Sequence, residues 1–235
     1  MTQRVVCTQR EGVELFGNAG LQAGVVAAGV GAEFIDAAKA LVERLRGKGF
    51  AIGQIDLGGG LGVAYQAHEQ APEIRGFIAQ VRARLEGRGL RVTIEPGRSI
   101  VGRAGVLLTR VLYRKCSPSK EFIVVDAAMN DLIRPSLYQS HHEIVPVRKA
   151  ARGKILADVV GPICESGDFL ARDREMGDVL PGDLLAVATV GAYGFVAASN
   201  YNARVRPPEV LVAGAEWRTI RERETYEDLI RGERI

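Results

Sequence analysis

Two stretches of helical periodicity, each closed by glycine and each leading into a short apolar run, restrict this chain more than any other feature. In EFIDAAKALVERLRGKGF, which begins at residue 33, the apolar residues Phe34, Ala38, Leu41, Val42 and Leu45 share a helical face, and Gly47 and Gly49 offer a stop. AIGQIDL (51–57) then reads as a buried strand. A second helix is predicted over about residues 72–86, with Ile74, Phe77, Ile78, Val81 and Leu85 on one face, and RVTIEPG (91–97) as the next strand. Two β-α repeats at this spacing predict a parallel sheet or barrel.

After about Ser99 the pattern changes. VGRAGVLLTRVLYRK, EFIVVDA, HEIVPVR, KILADVVGP and DLLAVATVG are short β-rich runs broken by Pro, Gly and Asn/Asp clusters, and LPGDL (180–184) is a turn between strands. The expected organisation is therefore an α/β part at 33–103 followed by an antiparallel all-β domain, barrel or sandwich, at 104–235. Residues 1–32 carry no clean periodicity and are left unassigned, with an unrelated start favoured over a specialised N-terminus. The 235 residues are 47% hydrophobic, enough for a substantial core. Lys plus Arg number 31 against 28 Asp plus Glu, with no basic block, so nucleic acid is not an expected partner. AGLQAGVVAAGVGA (19–32) is too short for a membrane span, which needs ~20 residues, and Glu11 and Glu14 before it spoil a secretory leader, so a cytoplasmic protein is expected.

Several loops carry residues suited to chemistry. IDLGGGLGVAY (55–65) places glycines directly after a strand, where bare backbone N–H groups serve either a tight turn or an anion, phosphate above all. Its spacing fits neither G-x-G-x-x-G nor a P-loop. IEPGR (94–98) ends the next strand with a glutamate, a turn and an arginine, at the strand end where a parallel barrel places its site. VVDAAMNDLIRPSLYQSHH (124–142) gathers Asp126, Asn130, Asp131, Arg134 and Tyr138, either as a solvated loop with structural turn bonds or as a carboxylate reader built on the arginine fork. GAYG (191–194) puts Tyr193 between glycines at a strand end, to reach a ligand or to pack on the surface.

GPICESGD (161–168) sets Cys164 beside Glu165 and Asp168. A reactive thiolate wants positive neighbours, whereas acidic ones suit a proton donor. Cys7, Cys116 and Cys164 are odd in number and widely spaced, which argues against a disulfide framework or a zinc site. His141-His142-Glu143 has no second ligand cluster at a useful spacing, so no metal is expected.

In their order, IDLGGGLG, EPGR, VDAAMNDLIRPSLY, GPICESGD, GAYG and YNARVRPPEVLV resemble the C-terminal half of the diaminopimelate decarboxylases, over about residues 33–212. Ornithine and arginine decarboxylases of the same fold share the glycine loop and EPGR; the RPSLY and Glu-Ser-Gly-Asp passages look like the diaminopimelate branch. The resemblance implies the C-terminal part of an alanine-racemase-like (β/α)8 barrel followed by a β domain. It also implies pyridoxal 5'-phosphate as cofactor, an amino-acid substrate and a homodimer. By that resemblance Gly60 and the backbone of Glu95, Pro96, Gly97 and Arg98 hold the cofactor phosphate, and Glu95 pairs with the pyridine nitrogen. Arg98, Arg134 and Tyr138 meet substrate carboxylate, Glu165 meets an ammonium, and Tyr193 touches both cofactor and substrate. Cys164, supplied to the partner subunit, gives the proton that replaces carbon dioxide.

The family also uses an early-strand lysine to hold its cofactor. The six lysines here, Lys39, Lys48, Lys115, Lys120, Lys149 and Lys154, sit on a helix or beside turns, none in such a motif. A (β/α)8 barrel takes about 250 residues, far more than precede the β domain. The expectation is a half-enzyme, inactive alone, that pairs with a lysine-bearing barrel half or acts as a non-catalytic fragment. A decarboxylase of another basic amino acid is the remaining alternative.

Overall fold

The computed structural model describes residues 4–6, 13–16, 23–27, 31–66, 68–148 and 152–234. Two compact units divide the chain. One comprises Met1–Ala64 and His68–Val101, the other Tyr65–Ala67 and Gly102–Ile235.

The first unit holds strands β1 (Arg4–Val6), β2 (Val13–Phe16) and β3 (Ala23–Ala27), helix α1 (Ala32–Gly47), β4 (Ile52–Asp56), α2 (Ile74–Leu85), β5 (Arg91–Thr93) and a one-turn helix α3 (Gly97–Val101). Its sheet runs β1-β2-β3-β4-β5. The first three strands pair antiparallel, while β3–β4 and β4–β5 are parallel, as the intervening helical crossovers require. The glycine- and alanine-rich run thus contains a strand, β3. α1 buries Ile35, Ala38, Val42 and Leu45, and α2 buries Phe77, Val81 and Leu85. Phe34, Leu41 and Ile78 pack only at the flank of that core, which also takes Ile52, Ile55 and Leu57. Each such aliphatic or aromatic side chain contributes roughly 1.5–3 kcal/mol on burial. β5 is shorter than the sequence suggests, because Pro96 has no N–H to continue a ladder and α3 begins at Gly97.

The second unit contains β6 (Val106–Cys116), β7 (Glu121–Val125), a one-turn helix α4 (Arg134–Tyr138), β8 (Ile144–Pro146), β9 (Lys154–Val160), β10 (Phe169–Gly177) and β11 (Leu184–Ala188). A hairpin of β12 (Glu209–Ala213) and β13 (Glu216–Arg221) follows, then α5 (Tyr226–Leu229). The main sheet has the order β10-β9-β7-β6-β11-β8. Its two ends return toward each other, with Pro146 Cγ 3.3 Å from where a Cβ on Gly177 would lie, so the sheet is nearly barrel-shaped. The domain is not wholly antiparallel, contrary to expectation. β7 and β9 pair in parallel, Phe122 opposite Asp158, because the connection carrying α4 and β8 is long enough to bring the chain back in the same direction. Val111, Ile123, Val125, Leu132, Ile144, Val159, Leu170, Leu185 and Val187 fill the interior. At the LPGDL turn, Asp183 N–H donates to the Leu180 carbonyl at 3.0 Å, and Gly182 takes φ +94°, a conformation that side chains disfavour.

A glycine cradle and a caged arginine

In the first unit the glycine loop and EPGR lie against each other. Glu95 N–H donates to the Gly58 carbonyl at 2.8 Å, and Leu57 N–H to the Thr93 carbonyl at 3.0 Å. Asp56 Oδ1 accepts the Gly58 N–H at 2.8 Å. A Cβ on Gly59 would stand 2.7 Å from the Glu95 carbonyl oxygen, so only glycine permits this approach. Gly58 and Gly60 both have positive φ, 65° and 98°. Ser99 Oγ donates to the Pro96 carbonyl at 2.8 Å and sets the turn into α3. Of the residues expected here, Gly60, Glu95 and Gly97 are exposed, and Pro96 and Arg98 are half-buried.

In the second unit Arg134 is only 6% exposed, not part of a solvated loop. Its guanidinium carbon lies 5.6 Å from the Tyr65 ring centre, 6.0 Å from that of Tyr138 and 5.6 Å from that of Tyr193. Nη2 donates to the Tyr65 hydroxyl at 3.3 Å and to Ser140 Oγ at 3.2 Å. Nε is buried and makes no hydrogen bond among the described residues. Ser140 reaches back because Gln139 takes a left-handed φ of 52° at the end of α4, and Ser140 N–H returns to the Arg134 carbonyl at 3.3 Å. A guanidinium buried among aromatic faces, with no carboxylate among the described residues hydrogen-bonded to it, is costly unless an anion arrives.

Tyr193 occupies a left-handed φ of 61°. The glycines around it account for that strained turn. A Cβ on Gly105 would sit 2.5 Å from Gly191 N, and one on Gly194 would strike the Val190 carbonyl.

The 161–168 loop joins β9 to β10, and Asp168 is its keystone. The Asp168 carboxylate, 4% exposed, accepts the N–H groups of Met129 at 2.7 Å and Ile163 at 2.6 Å. Burial pushes its pKa up against the pull of those two donors. Gly161 fits because a Cβ would stand 2.6 Å from Asp168 Oδ1. Cys164 and Glu165 are left exposed, Glu165 Oε2 accepting from the Tyr201 hydroxyl at 3.4 Å. Asp126, Asn130 and Asp131 serve the frame. Asn130 Oδ1 accepts from Arg204 Nε at 2.9 Å, Thr109 Oγ1 donates to Asp126 at 2.6 Å, and Asp131 accepts the Ala128 N–H at 2.9 Å. Burial raises the Asp131 pKa.

Arg134, Tyr138 and Tyr193 are thus brought together, and Cys164 and Glu165 share one presented loop. Tyr65, Ser140, His142 and Asp168 are contributors that sequence reasoning passed over. Only Asp168 carried a local signal, as the acid that closes the Glu-Ser-Gly-Asp turn. Lys120 pairs with Asp158 and Asp173, and Lys154 with Glu175; Lys149 and Cys7 lie outside the described residues. Among the described residues no three His, Cys, Asp or Glu side chains group as metal ligands, and no helix is long and apolar enough to cross a membrane.

A helix-backed mixed sheet with a glycine cradle, followed by a nearly closed sheet domain with a caged arginine, defines a recognisable class. The family model described as "Pyridoxal-dependent decarboxylase, C-terminal sheet domain" matches residues 7–191, and the chain belongs to that family. It is 53% identical over 205 residues to a diaminopimelate decarboxylase of Pseudomonas aeruginosa, covering 86% of this chain and 49% of the relative. With the Aquifex aeolicus diaminopimelate decarboxylase it shares 47% over 198 residues, 84% of this chain and 47% of that one. Among solved structures, the diaminopimelate decarboxylase of Helicobacter pylori complexed with L-lysine superposes with a TM-score of 0.80 at 37% identity, over 88% of this chain and 53% of that one. The M. jannaschii enzyme gives a TM-score of 0.82 at 35% identity, over 89% and 51%. The chain spans about half the length of the curated relatives it matches.

Proposed function

We propose that this chain carries one share of a pyridoxal 5'-phosphate-dependent decarboxylase converting meso-2,6-diaminopimelate to L-lysine and carbon dioxide. The observation that carries the reading is the Arg134 guanidinium, buried under three tyrosine rings with Nε lacking an acceptor among the described residues. It fits a substrate with a carboxylate at its far end. Lysine and ornithine end in an ammonium there, which disfavours a decarboxylase of those amino acids.

The first unit's loops fit a phosphate monoester. Residues 58–60 present bare backbone, and the one nearby carboxylate hydrogen-bonded to the loop, Asp56, is occupied by the Gly58 N–H. Gly60 with the Glu95–Arg98 backbone would hold the phosphate, and Glu95 would pair with the ring nitrogen. When bound, the cofactor supplies an electron-withdrawing ring. Arg98, Arg134 and Tyr138 would take carboxylate, Glu165 an ammonium, and Tyr193 would touch cofactor and substrate. Cys164 would deliver its thiol proton to the carbon that carbon dioxide leaves, and its exposure suits delivery to a partner subunit. On this reading residues 33–103 are the last part of a (β/α)8 barrel, the parallel β4–β5 pair being the support, and 104–235 are the sheet domain. The protein would work in the cytoplasm, as a homodimer by family resemblance or with a complementing half that brings the cofactor-holding lysine, a motif in which none of its own lysines lies.

The test is co-expression with the N-terminal barrel half of the Pseudomonas aeruginosa relative. The co-purified complex should release carbon dioxide from meso-diaminopimelate, and neither half should do so alone. Absence of a complex or of turnover overturns the complementation. Borohydride fixation of pyridoxal to a lysine of this chain alone, with turnover, would overturn its incompleteness.

A further inference from the structure

We infer that Tyr65 and His142 are positioning residues that aim the Arg134 guanidinium and so set the preference for a ligand ending in a carboxylate. The inference rests on the reading of Arg134 just given. His142 is fully buried. Its Nδ1 lies 2.9 Å from the Ala188 carbonyl, which only accepts, so the proton sits on Nδ1 and Nε2 is an acceptor. Nε2 is buried and without a hydrogen bond among the described residues, as is the donor Arg134 Nε. Both side chains meet the same tyrosine. The His142 ring stands edge-on to Tyr65, centroids 5.3 Å apart at 81°, and the guanidinium lies over the Tyr65 ring.

The geometry divides the labour. His142 cannot swing, because Arg174 Nη1 also holds its backbone carbonyl at 2.8 Å while the ring is tied to β11 through Ala188. A fixed imidazole fixes the tyrosine ring. Tyr65, through its hydroxyl, and Ser140 then hold Nη2 from two directions, which leaves the buried Nε–H to meet an incoming oxygen. Tyr138 and Tyr193 turn ring faces to the guanidinium and are 66% and 48% exposed, so they close the outer side of the cage. Keeping protein acceptors off Nε is what makes the cage selective. A ligand lacking the distal carboxylate leaves a buried guanidinium uncompensated, and sites built this way reject such ligands strongly.

Calorimetric titration of the full chain with meso-diaminopimelate and with L-lysine, which carries hydrogen in place of the second carboxylate, tests this through the ratio of the two dissociation constants. The parent chain should favour meso-diaminopimelate. Tyr65→Phe should weaken that ligand about tenfold while leaving L-lysine binding unchanged, so the ratio falls. His142→Gln should shift the ratio in the same direction. If either variant weakens both ligands in proportion, its role is structural and the inference is overturned for that residue; if Tyr65→Phe binds both like the parent, it is overturned outright. If His142→Gln does not fold, Tyr65→Phe still decides. Failure of the Arg134 reading shows itself differently. In that case the parent does not distinguish the two ligands, or Arg134→Gln leaves the ratio unchanged, and both readings fall.

Discussion

Replacing Asp168 with asparagine isolates what holds the Cys164 loop. The carboxamide keeps the size and one oxygen but turns an NH2 toward a backbone N–H, so one of the bonds from Met129 and Ile163, 2.7 and 2.6 Å in the parent, is lost. A hydrogen bond to a charged acceptor contributes about 1.5–3 kcal/mol, and an orphaned buried N–H costs about 1–3 kcal/mol. Desolvation of the carboxylate, visible in its raised pKa, offsets part of that. The expected net loss is about 2 kcal/mol, a fall in melting temperature of roughly 5–10 °C. Differential scanning calorimetry of the full chain at neutral pH reads it directly. Asp168→Ala, which removes both bonds, should melt lower still. If the asparagine variant melts within about 1 °C of the parent, the carboxylate is not the keystone of the loop.

A methyl group at residue 59 would meet the Glu95 carbonyl oxygen at 2.7 Å, and backbone cannot yield cheaply. Gly59→Ala should therefore cost about 1–3 kcal/mol and weaken pyridoxal phosphate binding in an absorbance titration, and unchanged values in both would refute the cradle. Burial holds the His142 pKa below its ordinary value of 6.5, so the unfolded chain takes up its proton first. Stability should then fall as pH drops below 6.5 toward the folded value, and urea midpoints of His142→Gln should lose less over that window. Arg206 pulls the Glu224 pKa from 4.5 to about 2. That pairing stabilises the fold above pH 4.5 and is lost as pH falls toward 2, so Glu224→Gln should show a shallower acid transition.

The first unit was legible wherever period and punctuation agreed. α1, α2 and β4 follow from apolar spacing and glycine stops, though Ile35, not Phe34, turned out to lie at the centre of the α1 face. β10 went unread because FLARDREMG carries four successive charged residues, and Asp173 takes a left-handed φ of 46° where the register slips, which breaks alternation. The β7–β9 pairing was out of reach for a different reason: strand direction depends on where a long connection returns, which local pattern does not encode. Arg134 was singled out for its fork, but its burial was not foreseeable. Two of its three cage walls, Tyr65 and Tyr193, come from distant positions, and the Tyr65 contact spans 69 residues. His142 was weighed only as a metal ligand, because nothing local in His-His-Glu reveals which imidazole turns inward.

The parallel β7–β9 pair has a consequence for the order in which this domain assembles. α4 and β8 both lie inside the loop that the pair closes, and closing long loops is entropically slow to reward. Ser140 can find Arg134 early, being six residues away, whereas His142 gains its anchor only when the end of β11 settles beside β8. A half-folded chain would therefore carry an arginine still open to water. A dicarboxylate that binds only the finished cage would draw folding forward by mass action, acting as a template for the last step.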